Sequence, residues 1–222
     1  MLIGLVGLIG AGKGTVGDFL IRDHGFAADS FAATLKDCLS LMFGWPRPLL
    51  EGDTVESRLW REQVDPWWSG RLGIPAFSPR MAMQLVGTDA LRDHFHPQMW
   101  VMTVERRLLQ TLGTPTVLTD ARFPDELTLL RRYGGILVQV RRGPDPVWHN
   151  IALAANGGDR EALAIMRTTY KDIHRSEWAW LGQPVDRVLT NDGTLADLAA
   201  QVSDLVRGQA ANANTVPRVR AS

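Results

Sequence analysis

Apolar residues follow two rhythms along this chain. Short continuous runs at Leu2–Val6, Pro115–Thr119, Ile136–Val140 and Val185–Thr190 predict strands buried on both faces, as in a parallel sheet. Phe26–Ser30 reads as a further short strand. Between the runs, apolar residues recur at helical spacing: Val16, Phe19 and Leu20; then Leu35, Leu39 and Met42; then Trp100, Val101, Val104 and Leu108. Leu195, Leu198, Val202 and Leu205 give a last amphipathic helix, opened by Thr194 with Asp197 in a capping-box-like pair. Strands alternating with helices predict an α/β fold, a central parallel sheet flanked by helices in three layers.

Punctuation divides the rest. Gly44-Trp45-Pro46 ends the helix through Phe43. Residues 46–78, rich in Pro, Gly, Trp and charge, read as an insertion between core elements, helical from Val55 to Gln63. Ser78-Pro79 starts a helix to about His94, with Ser78 as N-cap and Pro79 in the first turn. Its residues Arg80, Gln84, Thr88 and Arg92 form one slanting polar stripe, and Gly87 predicts a kink or a close backbone approach. A second helix spans about Pro97–Thr111. Asp125 and Glu126 suit the start of the next, closed by Gly134-Gly135. Residues 143–180 read as irregular, with a helix from Arg160 to about Tyr170, and form a candidate lid. From Gly208 the Ala-, Asn- and Arg-rich tail predicts disorder. The organisation is thus one domain over 1–207, with a tail over 208–222.

Composition narrows the partners. With 222 residues and 45% hydrophobic content the chain sustains a sizeable core. Lys plus Arg is 24 and Asp plus Glu is 24, a balance that argues against bulk binding to nucleic acid or an anionic membrane. The single cysteine, Cys38, excludes an internal disulfide framework and fits a reducing compartment. No apolar run is long enough to span a bilayer. The run Leu2–Ile9 lacks a basic leader and a cleavage site, so the expectation is a cytoplasmic protein.

The chemistry begins behind the first strand. Gly7-Leu8-Ile9-Gly10-Ala11-Gly12-Lys13-Gly14-Thr15 has the spacing of a phosphate-binding P-loop, between an apolar strand and a helix. Glycines let successive N–H groups turn around phosphate oxygens, the helix N-terminus adds partial positive charge, and Lys13 reaches the outer phosphates. Gly14 stands where a hydroxyl residue usually follows the lysine, which places Thr15 one position late and predicts more water around a bound Mg²⁺. Asp120 and Arg122 follow the strand at Pro115–Thr119, at the carboxyl edge where open α/β sheets bind ligands. Asp120, with Thr15, is the candidate Mg²⁺ holder, and Arg122 the candidate stabiliser of charge in transfer. Arg141 and Arg142 leave the next strand on the same edge.

At this point the chain resembles a known family, the bacteriophage deoxynucleoside monophosphate kinases of the P-loop superfamily. The resemblance rests on Leu5–Phe19 with its loop and on Leu35-Lys36-Asp37. It rests equally on Met83-Gln84-Leu85-Val86-Gly87-Thr88-Asp89 within Arg80–Trp100, and on a closing run with Asp120-x-Arg122, Val140-Arg141, His174-x-Ser176-Glu177 and Leu189-Thr190-Asn191-Asp192-Gly193. These blocks cover most of residues 2–205. The resemblance implies a P-loop kinase fold and transfer of the ATP γ-phosphoryl group to a deoxynucleoside monophosphate, giving the diphosphate and ADP, for nucleotide supply to DNA synthesis. It sets Gly10, Gly12, Lys13, Gly14 and Thr15 on the ATP phosphates, Asn191-Asp192-Gly193 against adenine, and Lys36, Arg58, Arg80, Gln84, Gly87, Thr88 and Trp100 at the acceptor. Arg58 aligns only across a gap, and Ala33-Thr34 replaces the family's usual residues before Leu35-Lys36. If viral, the protein works in host cytoplasm; a homodimer is left open. Two alternatives stand beside this reading. One is a different small-molecule P-loop kinase resembling dephospho-coenzyme A kinase. The other is a non-catalytic nucleotide-binding regulator, although a guanine-reading Asn-Lys-x-Asp motif is absent.

Overall fold

A computed structural model describes residues 1–215; the side chains from Ala210 onward and the last part of the expected tail, 216–222, lie outside the described residues. The chain divides into two compact units, one made of 1–29 and 113–222, the other of 30–112.

The first unit holds five parallel strands in the order β2-β3-β1-β4-β5: β1 (Leu2–Val6), β2 (Ala27–Asp29), β3 (Thr116–Leu118), β4 (Ile136–Arg141) and β5 (Arg187–Thr190). β1 is central, with Ile3 opposite Val117 on one side and Ile136 on the other. All five positions of β1 are buried, which is why it reads as an unbroken apolar run. Its two faces have different neighbours. Ile3 and Leu5 join Val117, Val138 and Val140 under α1 (Lys13–His24), through Val16, Phe19 and Leu20, and under the chain's last helix (Leu195–Thr215), through Leu198, Val202 and Leu205. On the other face, a Cβ at Gly4 would sit 2.2 Å from Leu130 of the helix Pro124–Arg132. A parallel sheet between two helical layers is the three-layer α/β fold expected from the sequence.

Two helical boundaries differ from expectation. The last helix continues past Gly208 to Thr215. One glycine costs about 1 kcal/mol of helix propensity, and the alanines that follow offset it. The segment after Pro146 is not irregular but a helix, His149–Asn156, which packs on a second helix, Arg160–Thr168. Its buried positions are alanines, Ala152 and Ala155, so its apolar stripe is faint in the sequence. The Thr194–Asp197 capping pair forms as expected, with Thr194 N–H donating to Asp197 Oδ2 at 2.8 Å and Asp197 N–H to Thr194 Oγ1 at 3.2 Å.

The second unit is helical and has its own core. Leu35, Leu39, Trp45, Leu50, Phe77, Ala82 and Trp100 are buried together, with Trp60 and Trp68 packed around them. Within it, residues 46–78 form short helices at Arg47–Leu50, Val55–Glu62 and Pro66–Leu72. Aromatic rings join these helices to the helix Ala33–Phe43: Phe43 stacks on Trp45 at 4.5 Å between centroids and meets Trp68 edge-on at 4.9 Å. Asp65 is the polar pin of the cluster. It caps the helix Pro66–Leu72 through Trp68 N–H at 3.0 Å and accepts the Trp45 indole N–H at 2.8 Å.

The helix predicted over 78–94 starts as expected, with Ser78 accepting Met81 N–H at 3.3 Å. After Gln84 it widens into a π-helix, Leu85–Phe95. Gly87 marks the close approach: a Cβ there would lie 2.5 Å from Leu35 Cδ2, and its carbonyl accepts the Trp100 indole N–H at 2.8 Å. The wider turn, with bonds five residues apart, breaks the fourfold spacing of the Arg80–Gln84–Thr88–Arg92 stripe.

Asp65→Ala removes a cap and a charge-assisted hydrogen bond at once, and is expected to destabilise the second unit by about 2 kcal/mol. Urea unfolding followed by tryptophan fluorescence checks this; an unchanged midpoint would remove Asp65 from the packing of the aromatic cluster.

Candidate phosphate site

β1 delivers the chain to the loop 7–12 at its carboxyl end, and α1 leaves it. Gly7 has φ +148°, and a Cβ there would lie 2.4 Å from the Val140 carbonyl oxygen, so only glycine lets the loop pass β4. Gly12, the residue before α1, has φ +103°. Asn191 holds the loop from outside, its Nδ2 donating to Ala11 O at 2.9 Å. Asn191 is itself pinned to the end of β4 through its N–H on Arg141 O at 2.7 Å, while Asp192 accepts Gly143 N–H at 2.6 Å. The predicted residues Gly10, Gly12, Arg141, Asn191 and Asp192 therefore share one corner. Gly193 continues the turn into the last helix, and Arg141 pairs with Asp145 at 3.1 Å.

Lys13 is folded back over the loop, its ammonium donating to Gly7 O at 2.7 Å and Leu8 O at 3.0 Å. Its pKa is lowered to about 8, first by burial and then by the positive charge of Arg122; Glu177 and Asp120 oppose the shift. The same electrostatic neighbourhood shows that Asp120 and Arg122, from the loop after β3, stand with the lysine as expected. Gly14 is exposed and Thr15 half-buried in the first turn of α1.

Three residues around Arg122, namely Glu126, Ser176 and Glu177, add to the predicted set. Glu126, nearly fully buried, accepts the backbone N–H groups of Arg122 and Phe123 at 2.8 and 3.0 Å, so a carboxylate fixes the main chain from which Arg122 extends. The Arg122 guanidinium donates to Glu177 and, at 3.2 Å, to Ser176 Oγ; Ser176 in turn bonds His174 Nδ1 at 2.8 Å. The sequence carried Ser176 and Glu177 in a recognisable run, but nothing local ties that run to an arginine 55 residues earlier in the chain.

The predicted acceptor residues lie in the second unit. Lys36 is buried and pairs with Glu51 at 2.5 Å, and Arg47 bridges Glu51 and Asp37. Arg80 pairs with Glu62 at 3.2 Å, and the exposed Arg58 donates to Asp53 O at 3.3 Å. Arg58, Arg80 and Glu51 all bear on Arg61, whose pKa is lowered first by burial and next by Arg80, and whose Nε is buried without an acceptor among the described residues. Arg61 was not singled out from the sequence; its position one turn after Arg58 on Val55–Glu62 was the available signal. Gln84 is exposed, Thr88 half-buried, and Gly87 and Trp100 are core residues of this unit. Trp100 thus has a packing role, with its indole N–H spent on the π-helix.

Against known proteins, the chain is 29% identical over 156 residues to a protein of Acanthamoeba polyphaga mimivirus that carries the name deoxynucleotide monophosphate kinase, covering 64% of this chain and 74% of the relative. The chain has relatives among viral deoxynucleotide kinases. A second, the deoxynucleoside-5′-monophosphate kinase of Escherichia phage T5, is 41% identical over 54 residues, 24% of this chain and 22% of the relative. Among solved structures, dephospho-CoA kinase from Campylobacter jejuni aligns with 93% of this chain and 96% of its own at 13% identity, with a TM-score of 0.44. No family model matches the chain.

The lowered pKa of Lys13 gives a pH dependence with a fixed sign. In the unliganded chain the ammonium is charged below about 8 and neutral above. Bound phosphate stabilises the charged form, so binding above that value takes up a proton. Triphosphate affinity is expected to be level in this respect below pH 8 and to fall above it, by up to about tenfold per unit. Calorimetric titration of ATP from pH 7 to 9.5 checks it; a flat profile would show that Lys13 stays charged throughout.

Proposed function

We propose that this chain is an ATP-dependent deoxynucleoside monophosphate kinase, transferring the γ-phosphoryl group of ATP to a deoxynucleoside monophosphate and releasing the diphosphate and ADP. The observation that carries the reading is the convergence of the phosphate loop, its desolvated Lys13 and a second cation, Arg122, at the carboxyl edge of the sheet. The viral relatives support the deoxynucleotide class of acceptor.

In this reading the loop N–H groups and the start of α1 hold the donor phosphates, and the turn 191–193 lies against adenine. Lys13 leaves its carbonyl partners for the outer phosphates. Arg122 leaves Glu177 and meets the charge that spreads over the transferring group, so Glu177 acts as its resting partner. The acceptor phosphate is already a nucleophile, and no protein base is required. Lys36, Arg58 and Arg80, with Gln84, Gly87 and Thr88, serve the acceptor, and residues 143–180 act as a lid that keeps water from the transferred group.

Mg²⁺ is implied by the fold. No cluster of three or more His, Cys, Asp or Glu suited to a metal occurs among the described residues. That fits an ion carried on nucleotide phosphates, since Mg²⁺ keeps several waters and needs only one or two protein ligands. Thr15 and Asp120 would hold it, and it would neutralise phosphate charge.

The test is ADP release from Mg·ATP with dGMP, dTMP, dCMP, dAMP and the matching ribonucleotides. Stimulation by at least one deoxy-monophosphate, with its diphosphate formed, is the expected result; ATP binding with no stimulation by any of them would favour a nucleotide-binding regulator. Arg122→Ala is expected to lower kcat on the order of 10³-fold with ATP affinity little changed. Arg80→Ala should instead raise KM for the monophosphate, and equal losses of ATP and monophosphate affinity would move Arg80 out of the acceptor site.

A further inference from the structure

Away from the phosphate loop, the first unit contains a cavity of about 530 Å³, within the range of small-molecule sites. Met166, Ile173 and Trp178 supply an apolar wall, and Arg167, Lys171 and Arg175 supply three basic side chains. No Asp or Glu lines it. A concave surface with an apolar wall, several cations and no carboxylate suits a ligand with a flat apolar part and a strongly anionic part.

Trp178 gives an independent indication. It is 6% exposed, and its indole Nε1 has no acceptor among the described residues. A buried N–H without a partner is uncommon in a finished structure and marks a place where an acceptor is missing. The atom is sealed from solvent in this conformation, so a ligand oxygen reaches it only when the ring turns toward the cavity it lines.

The cavity is also wired to the phosphate site. Ile173, His174, Arg175 and Trp178 line it, while the two residues between, Ser176 and Glu177, hold the Arg122 guanidinium. One short strap thus has the cavity on one side and the resting partner of Arg122 on the other.

We propose that this cavity is an effector site for a nucleoside triphosphate, separate from the donor site, with the base against Trp178, Met166 and Ile173 and the phosphates on Arg167, Lys171 and Arg175. Occupancy displaces the strap and so changes the hold of Glu177 on Arg122. Only this link to Arg122 rests on the kinase reading; the binding site does not.

The experiment is calorimetric titration of the full chain with dATP, comparing wild type, Lys13→Ala and the double variant Arg167→Ala/Lys171→Ala, with circular dichroism to check folding. Two classes of site are expected in wild type. Lys13→Ala weakens one; the double variant weakens the other by about tenfold or more and leaves the first as it was. A single class in wild type, or a folded double variant that titrates like wild type, overturns the proposal. Inorganic tripolyphosphate separates the two sources of the anion. Weaker binding than dATP at the Arg167 site is expected, and equal binding would overturn the nucleotide assignment. With each protein compared to its own rate without effector, excess dTTP should change the wild-type rate and leave that of the double variant as it was; a rate in the variant that responds like wild type overturns the coupling. If no monophosphate supports turnover in any variant, the kinase reading fails while the titrations still decide the site.

Discussion

The partly buried ammonium of Lys13 is the constraint around which the first unit is arranged. A charge taken out of water needs fixed oxygens nearby, and two carbonyls of the loop supply them. For those carbonyls to point at one atom, the loop must turn sharply at the end of β1, which requires Gly7 to pass close under β4. β1 must in turn be central in the sheet, so that β3 brings Asp120 and Arg122 from one side and β4 brings Arg141 from the other. The lowered pKa of the lysine reflects this arrangement, because burial and the charge of Arg122 together outweigh the two acidic neighbours.

Arg122 is held in two different ways. Its main chain is fixed by the buried carboxylate of Glu126, while its guanidinium rests on the partly exposed Glu177. The fixed part sets where the side chain starts, and the exchangeable part sets what it touches. A partly solvated ion pair contributes little to stability and can be exchanged for a stronger anion at small cost.

The second unit solves a different problem. Short helices cannot stand alone, and here an aromatic cluster binds two of them, through Trp60 and Trp68, to the helix Ala33–Phe43. Charged residues then cover this core in linked pairs: Lys36 and Arg47 on Glu51, Arg80 on Glu62. Arg61 is the exception, with a buried Nε that has no acceptor among the described residues.

The sequence by itself determined the strands, the phosphate loop, the caps at Ser78 and Thr194 and the class of fold. Each depends on neighbours a few residues apart: an unbroken apolar run, a glycine spacing, a capping oxygen three residues from its donor. It placed Lys13, Asp120 and Arg122 together because strands of a parallel sheet end on one edge. Tertiary structure decided the rest. The π-helix over Leu85–Phe95 arises because Leu35 and Trp100 close on Gly87, and a pattern read at 3.6 residues per turn does not show it. The helix His149–Asn156 packs on Arg160–Thr168 through alanines, which leave too faint an apolar stripe to read locally. The tie between Arg122 and Glu177 joins residues 55 apart. Local spacing can encode a turn or a strand, but a contact between distant side chains exists only once the packing of whole elements has fixed both ends.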